Sequence, residues 1–241
     1  MQRFFEVDAL RGVAVMAMIA FHALFALDFL AGYSFAIGSG LFFLMGRFAS
    51  VAFVFLVGLS LTLSYNRAVK KLRGFALFAK YLFRGLRIFS LGMAITLISF
   101  LSFPQYAIFF GVLHCIGLSI ILAFPFLRWK GANFFLGWLF IITGIFLWGI
   151  SVQTPWFLWL GLKPALVQSL DYFPLLPWFG LVLLGIFAGN ELYPNGKRSF
   201  PLPDLSFNPG ISAISLIGRH SLIIYFLHFP VLIAAVLLLA G

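Results

Sequence analysis

The chain has 241 residues, of which 63% are hydrophobic and only 9% charged. A soluble domain carries roughly 25% charged residues and cannot hide this much apolar surface in one core, so a water-soluble fold is excluded and lipid is implied as the solvent. The formal charge of +10 does not indicate nucleic acid, because the basic residues sit between hydrophobic stretches, as membrane topology demands, and not on a solvated patch.

Spanning a bilayer takes about 20 mostly apolar residues. The first such run, Ala9–Phe29, begins close to Met1 and carries Asp8, Arg11, His22 and Asp28 in or beside it. A cleaved signal peptide would have a short uncharged apolar region, so a retained helix is expected. The second run is Leu41–Ser64, followed by Arg67, Lys70, Lys71, Arg73 and Lys80. The third, Leu82–Phe103, holds Arg84 and Arg87 near its start; the fourth, Ala107–Leu127, is followed by Arg128 and Lys130. The fifth is Phe134–Ser151. Residues Thr154–Leu170 are apolar but interrupted by Pro155 and Pro164, which suggests a lid or re-entrant segment. The sixth run is Pro174–Gly189, and Glu191–Gly210, with four prolines, reads as an irregular loop before the last helix, Ser221–Leu239.

Lys and Arg fall on alternate connections: the Arg67–Lys80 group, the Arg128 and Lys130 pair, then Lys197 and Arg198, with only Arg47 and Lys163 on the opposite side. The positive-inside rule then puts the N-terminus and these connections in the cytoplasm and the C-terminus outside. The expected fold is an all-α polytopic membrane helix bundle of about seven transmembrane helices, forming a single domain over residues 1–241. Glycines spread through the spans, including the pair Gly185 and Gly189 and the one-face pair Gly85 and Gly92, predict close helix packing. The lone cysteine, Cys115, excludes an intrachain disulfide and a multi-cysteine metal site, and no metal is expected.

Function must reside in the groups that lipid does not tolerate, since an ionisable side chain at a helix centre costs about 2.5–3.5 kcal/mol on insertion scales. Asp8 and Arg11 lie three apart and can pair on one face, either as an interfacial ion pair or as part of a site. Arg11 and His22 share a stripe through Val15 and Met18 but stand about 16 Å apart along a helix axis, so they cannot touch within it. His22 is either a hydrogen-bonded core histidine or a proton-transfer group. Asp28 lies near the outer end, where a carboxylate is cheaper.

His114 and Cys115 are adjacent on a helix and so do not face each other; Cys115 reads as core, while His114 could line a polar cavity. Asp171, followed by Tyr172, Pro174, Pro177 and Trp178, could cap the sixth helix at its dipole or contribute to a site. Arg219 reads as a snorkelling anchor beside His220, and His228 lies about two turns further on, ahead of Pro230. Lys80, Arg84 and Arg87 would meet either lipid headgroups or an anionic cofactor. The phosphate loop of nucleotide hydrolases, the dinucleotide glycine motif, the His-Glu-x-x-His zinc helix and the serine nucleophile elbow are all absent.

Four segments are distinctive together: Glu6-Val-Asp-Ala-Leu-Arg-Gly12, Phe110-Gly-Val-Leu-His-Cys-Ile-Gly117, Asp171-Tyr-Phe-Pro-Leu-Leu-Pro-Trp-Phe-Gly180 and Gly218-Arg-His-Ser-Leu-Ile-Ile-Tyr-Phe-Leu-His228. In order and identity they resemble the heparan-alpha-glucosaminide N-acetyltransferase catalytic-domain family, particularly its small prokaryotic members. The first helix is also similar to that of type 3 membrane acyltransferases, which carry an arginine and a histidine separated by ten residues, matched by Arg11 and His22. The resemblance implies a prokaryotic cell-membrane acyltransferase with acetyl-CoA or another acyl-CoA as cytosolic donor and a sugar or glycolipid acceptor at or across the membrane. His22 would then serve as base or transient acyl carrier, helped by Arg11, Asp8, His114, Asp171 and His228, while Arg11, Lys80, Arg84 and Arg87 would hold the donor. Leu30–Phe48 has no histidine, so His22 would take the role that a loop histidine has in the lysosomal enzymes. The chain is also shorter than those enzymes, and a second copy could supply part of the acceptor site. A proton-coupled transporter or flippase using the same histidines is the alternative, although no internal repeat of the usual transporter kind is visible. A membrane scaffold or lipid-binding bundle is a third reading.

Overall fold

The computed structural model describes residues 4–35 and 37–240. The described residues form eight α-helices: α1 (Phe5–Ala31), α2 (Gly40–Ala68), α3 (Gly74–Ser102), α4 (Val112–Leu122), α5 (Ala132–Phe146), α6 (Leu175–Leu192), α7 (Pro209–Arg219) and α8 (Ser221–Ala240). Five of them, α1, α2, α3, α6 and α8, are long and apolar enough to cross a membrane. Their outward faces carry large apolar side chains such as Leu41, Phe75, Leu101 and Leu238, a surface that only hydrocarbon accommodates at this density. The all-α membrane class is as expected from composition.

The helices fall into two compact units, one built from residues 1–56 and 201–241, the other from residues 57–200, so that α2 contributes to both. In the first unit α1 packs against α7 and α8. The α1–α7 crossing is made by two glycines: a β-carbon on Gly12 would run into the Ile214 carbonyl, and one on Gly218 into the Asp8 carbonyl. Backbones this close are possible only where both helices present no side chain. Ser215 seals the crossing by donating to the Phe5 carbonyl at 3.3 Å. At its far end α1 stops at Gly32, whose φ of 73° is left-handed, and Asp28 accepts from the Phe35 amide at 2.9 Å to fix the turn that follows.

In the second unit the end of α2 packs on α6, with Gly58 against the Val182 backbone and Thr62 donating to the Ile186 carbonyl at 3.2 Å. Helices α3 and α4 cross where Gly85 meets Gly117. Leu61, Tyr81, Ile120, Leu183 and Ile186 are withdrawn completely from solvent in this unit.

Three elements differ from expectation. The run Ala107–Leu127 is not one long helix: a 3-10 turn at Pro104–Tyr106 and another at Pro125–Arg128 leave only the eleven residues of α4 between them. Gly111, extended at φ −88° and ψ −173°, starts α4 late. Eleven residues rise about 16 Å, half the hydrocarbon thickness. The fifth helix likewise stops at Phe146, and Thr154–Leu170 is irregular apart from a 3-10 turn at Pro155–Phe157 and an isolated bridge between Lys163 and Ser151. Finally, α7 occupies residues expected to lie between the loop and the last span. Its start was encoded: Asn208 accepts from the amides of Gly210 and Ile211 at 3.0 and 3.3 Å, and Pro209 fills the first turn, an N-cap with proline at the first helical position.

Candidate active site

In the first unit, the polar groups of α1 collect at two levels. At the start of the helix, Asp8 pairs with Arg11 at 3.1 Å, as the three-residue spacing predicts. The same carboxylate holds Arg219 of α7 at 3.3 Å through its other oxygen. Arg11 also donates to the Gly218 carbonyl at 3.5 Å. Arg219, expected as a snorkelling anchor, is therefore the second cation on Asp8, across a separation of 211 residues in the chain. Nothing in the local sequence announces that contact.

Four turns along, His22 meets His228 of α8. The His22 Nδ1 and His228 Nε2 atoms are 3.1 Å apart, with ring centroids separated by 4.9 Å. His228 is buried, and its Nδ1 lies 2.6 Å from the Tyr225 carbonyl. The surroundings are aromatic: Phe21 and Phe229 meet the His22 ring edge-on at 5.6 and 5.8 Å, and Tyr225 lies 5.6 Å from the His228 ring. The unbroken helix from Phe5 to Ala31 keeps Arg11 about 16 Å from His22 along the axis. The partner of His22 is thus another imidazole, and Arg11 belongs to the Asp8 cluster.

In the second unit, His114 and Asp171 converge on the start of α4. The Gly111 amide donates to His114 Nδ1 at 3.2 Å, which puts the ring proton on Nε2, facing the Thr96 hydroxyl at 3.3 Å. Thr96 in turn donates to the Ile108 carbonyl at 2.5 Å. Gly92 makes room for the ring, since a β-carbon there would stand 2.9 Å from Nδ1. Both nitrogens of His114 are engaged.

Asp171 accepts from the Val112 amide at 2.9 Å and so caps α4. The N-cap of α6 is Pro174, which corrects the expectation that Asp171 caps the sixth helix. The dipole argument survives with a different helix. Phe173 donates to the Phe110 carbonyl at 2.9 Å, tying the two segments together. Tyr172 donates to the Leu158 carbonyl at 2.9 Å, and burial pushes its phenol up to about 12, so it stays a donor at any physiological pH.

The basic end of this unit lies where α2 meets α3. Lys80 donates to Ser64 at 3.4 Å and stands within electrostatic reach of Arg84 and Arg67. Arg128 reaches the Tyr65 hydroxyl at 3.0 Å. Arg84 and Arg87 are exposed. The sequence singled out Lys80, Arg84 and Arg87 by their charge, whereas Ser64, Tyr65 and Thr96, which the structure shows as hydrogen-bond partners, carry no charge to mark them. Among the described residues, no three His, Cys, Asp or Glu side chains gather as a metal site would require.

Long apolar helices with lipid-facing surfaces define an integral membrane protein, two of whose spans bring a pair of imidazoles together. Its sequence places it further. The profile of the heparan-alpha-glucosaminide N-acetyltransferase catalytic family matches residues 3–230 of the 241, and the chain belongs to that family. No curated protein and no solved structure matches it.

Proposed function

We propose that this protein is a membrane-bound acyltransferase that moves an acetyl group from cytosolic acetyl-CoA to an amine or hydroxyl of a sugar or glycolipid acceptor. The observation that carries this reading is the 3.1 Å contact between His22 and His228. Two imidazoles facing each other within apolar helices are costly without a task, and proton transfer near neutral pH is the task imidazole performs best. Membership in an N-acetyltransferase family supplies the reaction class.

In the proposed reaction the acceptor's nitrogen or oxygen adds to the thioester carbonyl carbon. The new C–N or C–O bond forms, the C–S bond breaks, His22 takes the acceptor's proton and then returns it to the departing CoA thiolate. In the second unit Lys80, Arg84 and Arg87 offer cations suited to the donor's phosphates, and in the first Arg11 lies on the same helix as His22. His114 and Asp171 keep the start of α4 in place. The positive-inside rule supports an N-terminus on the cytosolic face.

The test is acetyl transfer from radiolabelled acetyl-CoA to a glucosamine-terminated acceptor by the purified protein in lipid. His22→Ala should lower turnover by about 10²- to 10⁴-fold, the usual contribution of a general base, with unchanged thermal unfolding. Undiminished turnover in that folded variant eliminates the mechanism. Proton-coupled acceptor uptake into proteoliposomes without CoA release would instead establish the transporter reading.

A further inference from the structure

His22 has two ring nitrogens, and only one bearing a lone pair can take a proton from an acceptor. We infer that His228 is a positioning residue that holds His22 with its proton on Nδ1, so that Nε2 is the basic atom; the role of that atom rests on the acyltransferase reading above.

The direction of the hydrogen bonds carries the inference. A carbonyl oxygen accepts and never donates, so the 2.6 Å contact of His228 Nδ1 with the Tyr225 carbonyl needs a proton on Nδ1. A neutral His228 then presents Nε2 as an acceptor. The atom facing it is His22 Nδ1 at 3.1 Å, which must donate. That contact places the proton on His22 Nδ1, and the lone pair falls on Nε2.

The surroundings favour two neutral rings. Phe21 and Phe229 pack edge-on to His22, and beyond His22 itself the Tyr225 ring lies 5.6 Å from that of His228. On α1 the closest charged residues are Arg11, about 16 Å away along the axis, and Asp28, about 9 Å away, which is turned to the Phe35 amide. From α7, Arg219 is held by Asp8 and His220 contacts the Leu216 carbonyl. No carboxylate in this set is placed to draw a second proton onto the pair. The arrangement resembles in logic a base oriented by a third group, with His228 in the orienting position and the Tyr225 carbonyl behind it.

The experiment is ¹⁵N NMR of histidine side chains in the full-length protein in lipid nanodiscs, with His22 assigned by its absence in His22→Gln. The expected spectrum has a protonated Nδ1 and a bare Nε2 at His22. His228→Ala should scramble that pattern and lower kcat by about 10- to 100-fold with KM for donor and acceptor within about twofold. His228→Gln, whose amide oxygen can accept from Nδ1, should recover most of the lost kcat. A proton on Nε2 of wild-type His22 overturns the inference whether or not acetyl transfer occurs. So does a His228→Gln enzyme no better than His228→Ala. The predicted tautomer in a protein that transfers no acetyl group would instead retain the inference about the proton and remove the acyltransferase reading beneath it.

Discussion

Asp8 joins α1 to α7 through Arg219 while also pairing with Arg11, and replacing it with asparagine keeps the shape while removing the charge. The cost can be worked from its two partners. The Arg11 pair is 3.1 Å long with side chains only 21% and 13% exposed, so it counts as a charge-assisted hydrogen bond worth about 1.5–3 kcal/mol. The Arg219 pair is 3.3 Å long, but its guanidinium is 39% exposed, which limits it to about 0.5–1 kcal/mol. Asp8→Asn should therefore destabilise the protein by about 2–4 kcal/mol, most of it through the better-shielded contact with Arg11. Equilibrium unfolding in mixed micelles by SDS titration would measure it. A double-mutant cycle with Arg219→Gln isolates the α1–α7 bridge, with an expected coupling of about 0.5–1 kcal/mol. A coupling below about 0.3 kcal/mol, or an Asp8→Asn cost under about 1 kcal/mol, would refute the reasoning that this carboxylate pins α7 to α1.

Two further outcomes follow from the second unit. Gly92→Ala would press a methyl group against the His114 ring, 2.9 Å from Nδ1; overpacking of this kind costs about 1–3 kcal/mol, and the same micelle titration should show it, whereas Thr96→Ser, which keeps the hydroxyl facing Nε2, should be nearly neutral. Lys80→Gln combined with Arg84→Gln should raise KM for acetyl-CoA by about 10-fold or more and leave kcat nearly unchanged, because contacts to the donor's phosphates that are the same in ground and transition state contribute uniform binding. An unchanged KM in steady-state kinetics would assign those cations to lipid headgroups.

Much of the scaffold was legible without coordinates, because lipid imposes one dominant rule. Runs such as Ala9–Phe29 and Ser221–Leu239 announce themselves by length and apolarity, and the structure extends the first only to Phe5–Ala31 and the last only to Ala240. The Asp8–Arg11 pair was likewise local, a consequence of helical spacing. Hydropathy failed where backbone geometry overrides it. Ala107–Leu127 is apolar enough for a span, yet Gly111, Pro125 and the cap from Asp171 cut it to α4. Short α7 escaped notice because an amphipathic helix of eleven residues has too few apolar positions to register as a membrane segment.

The sequence alone settled that this chain lives in lipid, that it is helical, and that Arg11, His22, His114, Asp171 and His228 are the residues needing an explanation. Which of them meet was decided by tertiary structure. His22 and His228 are 206 positions apart, and Asp8 and Arg219 are 211 apart. No periodicity in either helix encodes the rotation and depth at which it packs on another. Those follow from where glycines such as Gly12 and Gly218 let backbones approach, a property of the assembled surface rather than of any segment in it.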